Sequence, residues 1–160
     1  RYTYIDASRN ITHCGLSDDD MPYLGSCFDA AGRDDIITAD LSSNNFSFVP
    51  DDLFSGMSEL MKIRLNHLPQ LTELPEVLFA GLDKLEKISM RDNALHAVPE
   101  GLFDGLTVVN TIYLDHNPIT SLPAGLFSGL TTIRKLRLRD LSLTEVPEDL
   151  FSGLVNLKYL

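Results

Sequence analysis

The stretch LEKISMRDNALHAVPEGLFDGL, residues 85–106, decides the fold. Its apolar residues Leu85, Ile88 and Met90 are followed by Asn93, giving the spacing LxxLxLxxN. Pro99 then precedes Leu102-Phe103 by three residues, and Gly105 follows Phe103 by two. Ile88 and Met90, two apart, face one side of a short strand. Asn93 can bond the backbone where the chain leaves that strand. The Leu-Phe segment returns over the far side with its ring turned inward, and Gly105 relieves crowding at the return turn.

The same pattern recurs in both directions along the chain, and recurrence of this kind is sought before any other signal. Pro50, Pro75, Pro123 and Pro147 precede Leu53-Phe54, Leu78-Phe79, Leu126-Phe127 and Leu150-Phe151 as Pro99 precedes its own pair. Gly56, Gly81, Gly129 and Gly153 follow at the same offset, and the spacing is 24 residues with one step of 25. Upstream stand Ile36, Ala39, Leu41, Asn44; Leu60, Ile63, Leu65, Leu68; Val109, Ile112, Leu114, Asn117; and Ile133, Leu136, Leu138, Leu141. Leu157 and Leu160 begin a sixth copy. One copy cannot cover its own apolar faces, so the copies must stack and share a core. The five repeated phenylalanines are expected to form one continuous spine. Leu68 and Leu141 should interrupt the asparagine series, and the extra residue near Pro69 should bulge locally.

This pattern resembles the typical 24-residue leucine-rich repeat of extracellular proteins, in the style of Toll-like receptor ectodomains and the variable lymphocyte receptors of jawless fish. The resemblance covers residues 36–160. It implies an α/β solenoid: a right-handed horseshoe with a parallel concave sheet, a Phe spine and a convex side of 3-10 turns and loops. It also implies an extracellular recognition module without enzymatic activity.

Residues 1–35 read differently, as an N-terminal cap or first long repeat. The segment 6–35 resembles a ribonuclease-inhibitor repeat, with Ile11-Thr12-His13-Cys14-Gly15-Leu16 matching strand and turn and Cys14 in the Asn position. Ser17 followed by Asp18, Asp19 and Asp20 is a helix start, a cap with acids in the first turn. Met21, Leu24, Phe28 and Ala31 keep helical spacing and Gly32 suits a stop, so a helix is expected at about 18–31. Cys14 and Cys27 form either a disulfide between helix and strand or two buried thiols; a metal site with His13 is a third reading, short of ligands for structural zinc.

The formal net charge is −10, with 23 acidic and 13 basic side chains, which argues against a general nucleic-acid binder. No apolar run approaches the roughly 20 residues of a membrane helix, so no direct insertion is expected. Arg1 in place of an initiator methionine points to a mature or trimmed product. An array without a C-terminal cap points to a longer parent chain or to a covering neighbour. The sequons Asn10-Ile11-Thr12 and Asn45-Phe46-Ser47 are candidate N-glycosylation sites. Asn10 falls by register on the concave face, where a glycan would partly block it. No nucleophile, phosphate-loop or dinucleotide motif is present, no catalytic residue is assigned, and no metal or other cofactor is expected.

Strand side chains that miss the core must face the cavity. By register these are Thr38, Asp40, Ser42; Lys62, Arg64, Asn66; Lys87, Ser89, Arg91; Thr111, Tyr113, Asp115; Lys135, Arg137, Arg139. Seven of the 13 basic residues stand there, whereas Asp51, Asp52, Glu73, Glu76, Glu100, Asp104, Glu145, Glu148 and Asp149 fall on the outer segments. Lys62, Arg64, Lys87, Arg91, Tyr113, Lys135, Arg137 and Arg139 are therefore the candidate ligand-binding residues, with Tyr113 as aromatic anchor. The plainer alternative is a set of solvated strand residues balanced by Asp40 and Asp115. The expected partner is a protein or an acidic glycan. Packing of the basic cavity against an acidic back, as in a filament or adhesive surface layer, is the second reading. His67, Asp92, His116 and Asp140 hold equivalent places and are expected to form an alternating ladder, by charge pairing first, as a pH-responsive interface second and by metal binding a distant third.

Overall fold

Three-residue strands recur at each LxLxx segment, because alternation there puts one residue in the core and its neighbours outside. In the computed structural model, which describes residues 2–5, 10–14, 16–30 and 32–160, these are β3 (Thr38–Asp40), β4 (Lys62–Arg64), β5 (Lys87–Ser89), β6 (Thr111–Tyr113) and β7 (Lys135–Arg137). Two more precede them, β1 (Tyr2–Ile5) and β2 (Asn10–Cys14). All seven form one sheet in chain order, parallel from β2 to β7, with β1 antiparallel on β2. The middle residues Ala39, Ile63, Ile88, Ile112 and Leu136 pair in register and are fully buried.

The ladder continues one step past each strand. Ser43, His67, Asp92 and His116 donate their amides to the carbonyls of Asn66, Arg91, Asp115 and Arg139 at 2.9–3.0 Å. The chain then turns away, which sets Ser43, His67, Asp92, His116 and Asp140 at φ of 52° to 60°. Small polar and His residues tolerate this left-handed region best among the non-glycines.

Asparagines close the turn behind the ladder. The Asn93 side-chain oxygen accepts from Leu68 N at 2.8 Å and its amide donates to Leu65 O at 2.7 Å. Asn117 donates back to Met90 O at 2.8 Å, and Asn44 accepts from Leu16 N at 2.8 Å. Each asparagine thus serves the preceding coil. Where Leu68 and Leu141 stand instead, Asn44 and Asn117 also bond their own coils, at Leu41 O and Leu114 O. The extra residue of the second copy is taken up by a tight turn, Leu71 N to Leu68 O at 3.1 Å, with Pro69 at the position that favours it.

The far side is mostly turns, with a 3-10 segment at Glu100–Phe103. Phe54, Phe79, Phe103, Phe127 and Phe151 stack in sequence, centroids 6.0–6.4 Å apart and planes within 22°. The expected spine is therefore present. Behind each ring the return glycine has φ near +80°, where a side chain would be strained.

At the N-terminal end a 3-10 turn at Asp18–Asp20 runs into α1 (Met21–Ala30). Ser17 donates from N and Oγ to the Asp20 carboxylate, both at 3.0 Å. Met21, Leu24 and Phe28 are buried against the first coil. Arg33, just past Gly32, ties the helix down: it donates to Gly25 O, Leu53 O and Ser55 O. The side chains of Cys14, Cys27, His13 and Asn10 fall outside the described residues, as does Ala31.

Candidate functional site

The parallel register sorts the outward residues into three columns running across the strands. The first holds Thr38, Lys62, Lys87, Thr111 and Lys135; the second holds Asp40, Arg64, Ser89, Tyr113 and Arg137. The continued ladder adds Ser42, Asn66, Arg91, Asp115 and Arg139 as a third. The backbone of Asn10 pairs with Thr38, so it belongs to the first column.

Polar side chains of the third column lock the backbone of the next strand. Ser42 Oγ accepts from Asn66 N at 3.1 Å, Asn66 Oδ1 from Arg91 N at 2.9 Å, and Asp115 Oδ1 from Arg139 N at 3.2 Å. Asn66 also accepts from Ser89 Oγ at 2.8 Å. Asn66 and Asp115 are framework residues here, which sequence reading placed on the face without giving them this task. Their signal is a shared column with a backbone donor one repeat away.

The cations divide into two groups. Arg64 pairs with Asp40 at 3.3 Å and Arg91 with the buried Asp115 at 3.1 Å. Among the described residues, no carboxylate lies in ion-pair range of Lys62, Lys87, Lys135, Arg137 or Arg139. Three cations gather on the Tyr113 ring: Arg91 at 4.1 Å, Lys87 at 5.2 Å and Arg137 at 5.2 Å from its centre. Such contacts hold the cations in place by the ring's negative face. Lys135 instead lies 5.2 Å from the ring of Tyr159, which pairs with it across the start of the sixth coil. Lys62 and Arg139 are exposed. Of the eight candidate residues, the structure therefore brings Lys87, Arg91, Tyr113 and Arg137 together; the others flank them.

The expected four-membered rim ladder appears as two pairs. His67 Nδ1 lies 3.5 Å from Asp92, and His116 Nδ1 lies 3.3 Å from Asp140. No Asp92–His116 contact of this kind is present among the described residues. Asn45 is exposed, beside Ser17 at the edge of the first coil. The outer acids, from Asp51 to Asp149, are all exposed. A hollow of about 590 Å³ lies on that outer side, between Gly125, Ser128, Gly129, Asp149 and Gly153. Its lining is small hydroxyls, glycines and the single carboxylate of Asp149, open to solvent.

A stacked parallel sheet, a phenylalanine spine and an open polar strand face define a leucine-rich-repeat solenoid. The leucine rich repeat family matches residues 40–95, 69–119, 83–140 and 107–160, and the chain belongs to that family. Among solved structures it is similar to Toll in the Drosophila Toll–Spatzle complex, with 28% identity and a TM-score of 0.71. It is also similar to TLR13 in a complex with the single-stranded RNA ssRNA13, with 29% identity and a TM-score of 0.62. Each match covers 92% of this chain but only 22% and 23% of the other. The chain therefore spans under a quarter of the length of either protein. No curated protein matches the chain significantly.

Proposed function

We propose that this solenoid is a non-enzymatic recognition module of the extracellular space or cell surface, and that it binds an anionic partner, a protein or an acidic glycan, through its open strand face. The observation that carries the reading is the Tyr113 cluster, three cations around one ring in a chain whose net charge is −10. Seven cations and two acids give the face +5, by 7 − 2, while the outer acids supply the opposite sign. A local field of this kind steers an anion to the face even though the whole molecule is negative. The likeness to Toll, solved with a protein, supports recognition and an outside location. TLR13 was solved with RNA, so the likeness keeps nucleic acid among the partners to be tested. Membership of the 24-residue class and a ribonuclease-inhibitor-like first repeat over 6–35 belong to the same reading, with glycosylation at the exposed Asn45.

Arg64→Glu with Arg137→Glu tests the placement. Binding to immobilised heparin or an acidic peptide should weaken at least about thirtyfold, since reversing contact charges costs ~2 kcal/mol or more. Unchanged affinity would overturn it. The second reading is assembly, favoured by the segregation of acids onto the outer side. Light scattering of the same two proteins separates them: particles that grow only at low salt, and only without the substitutions, would assign the face to self-association.

A further inference from the structure

We propose that the strand face binds a sulfated polysaccharide, with one sulfate seated between Lys87, Arg137 and the hydroxyl of Tyr113; this rests on the recognition reading above. Strands β5 and β7 lie on opposite sides of β6. Lys87 and Arg137 therefore approach the Tyr113 ring from the two sides, each 5.2 Å from its centre. Arg91 stacks closest, at 4.1 Å, and its Nε lies 3.1 Å from the Asp115 carboxylate. The ring offsets the mutual repulsion of these cations without neutralising them. What remains is a ring with two unpaired cations each 5.2 Å from its centre and a phenol hydroxyl at its edge, groups that together suit an oxyanion with several acceptor oxygens.

Two competing ligand classes fit less well. A protein interface is organised around a desolvated apolar core. The outward columns carry no aliphatic side chain at all, only hydroxyls, an amide, charges and Tyr113. A single nucleic-acid strand uses free aromatic faces to stack its bases. At Tyr113 cations from the neighbouring strands already occupy those faces. A sulfated glycan needs neither feature, since its body is hydroxyl-rich and its charges are peripheral.

The spacing agrees. Columns step by about 4.8 Å per strand, close to the length of one pyranose ring. Along the first column the cations run Lys62, Lys87, then Thr111, then Lys135. The interruption at Thr111 falls on the strand that carries Tyr113. A chain laid across the strands thus meets a cationic head at Lys62, the socket at its centre, and Lys135 with Arg139 beyond.

The test is calorimetry of the full chain against four probes: a heparin dodecasaccharide, polyglutamate and polyuridylate matched to it in total charge, and the same oligosaccharide desulfated as a control for the sugar backbone. The expected result is binding of the sulfated probe at least about tenfold tighter than any other. Arg137→Gln should weaken that complex about tenfold, and Lys87→Gln and Tyr113→Phe about fivefold each. Arg134→Gln, which removes one charge outside the columns, should change it by less than about twofold. Folding of each variant is read from its circular dichroism and urea midpoint. Equal binding of all polyanions, or equal loss from Arg134→Gln and Arg137→Gln, overturns the sulfate socket while leaving a basic recognition face. Preference for polyglutamate or polyuridylate, still sensitive to Arg64→Glu with Arg137→Glu, also overturns it and moves the ligand class to acidic protein or RNA. Binding of no probe overturns the socket and the anionic-partner reading together.

Discussion

At the scale of single residues, the molecule is held by side chains that close backbone groups the strands leave open. Asn93 is the clearest, with one acceptor on Leu68 N and one donor on Leu65 O, both in the buried turn. Asn93→Ala should cost about 2–4 kcal/mol, because a buried donor and a buried acceptor each lose their partner. Urea unfolding of the variant checks it. The asparagine positions were legible in sequence because their spacing repeats. The left-handed residues one place earlier were not: Ser43, His67, Asp92, His116 and Asp140 share a conformation but not a chemistry. The first four also share a last ladder bond before the chain turns, which no residue type announces. Arg33 was equally silent, since its three carbonyl partners are distributed over Gly25, Leu53 and Ser55.

At the scale of elements, the repeat made five strands and the ring spine readable, because each depends on a period that survives substitution. Strand β1 carries no such period. Tyr2 and Tyr4 alternate in a β-favouring run, which is a usable strand signal, but nothing in the repeat announces a strand that pairs antiparallel with Asn10–Cys14. The outer segments were readable as turns, yet only Glu100–Phe103 closes as 3-10 among them. The spine makes a graded prediction. Phe103 is stacked on both sides and Phe151 on one, at the half-buried end. Phe103→Ala should cost about 3–5 kcal/mol and Phe151→Ala about half as much. Urea midpoints of the two variants compare them directly; equal losses would mean that the rings do not act as a shared stack.

For the whole molecule, function follows from what the sheet leaves outside. Core demand fixes every second strand residue, so the remaining columns are free to carry charge, and here they carry most of it with one sign. Which residues stand in those columns was readable from the period of two. How they divide was not: Asp40 and Asp115 neutralise Arg64 and Arg91, whereas Tyr113 collects Lys87, Arg91 and Arg137. That division depends on which column neighbours which, and only the register of all five strands decides it. The direct measurement is amide chemical-shift mapping by NMR as a heparin oligosaccharide is titrated into the labelled chain. Shifts concentrated at residues 62–66, 87–91, 111–115 and 135–139 are predicted. Shifts centred on the outer turns or on α1, with the strands unmoved, would contradict the account.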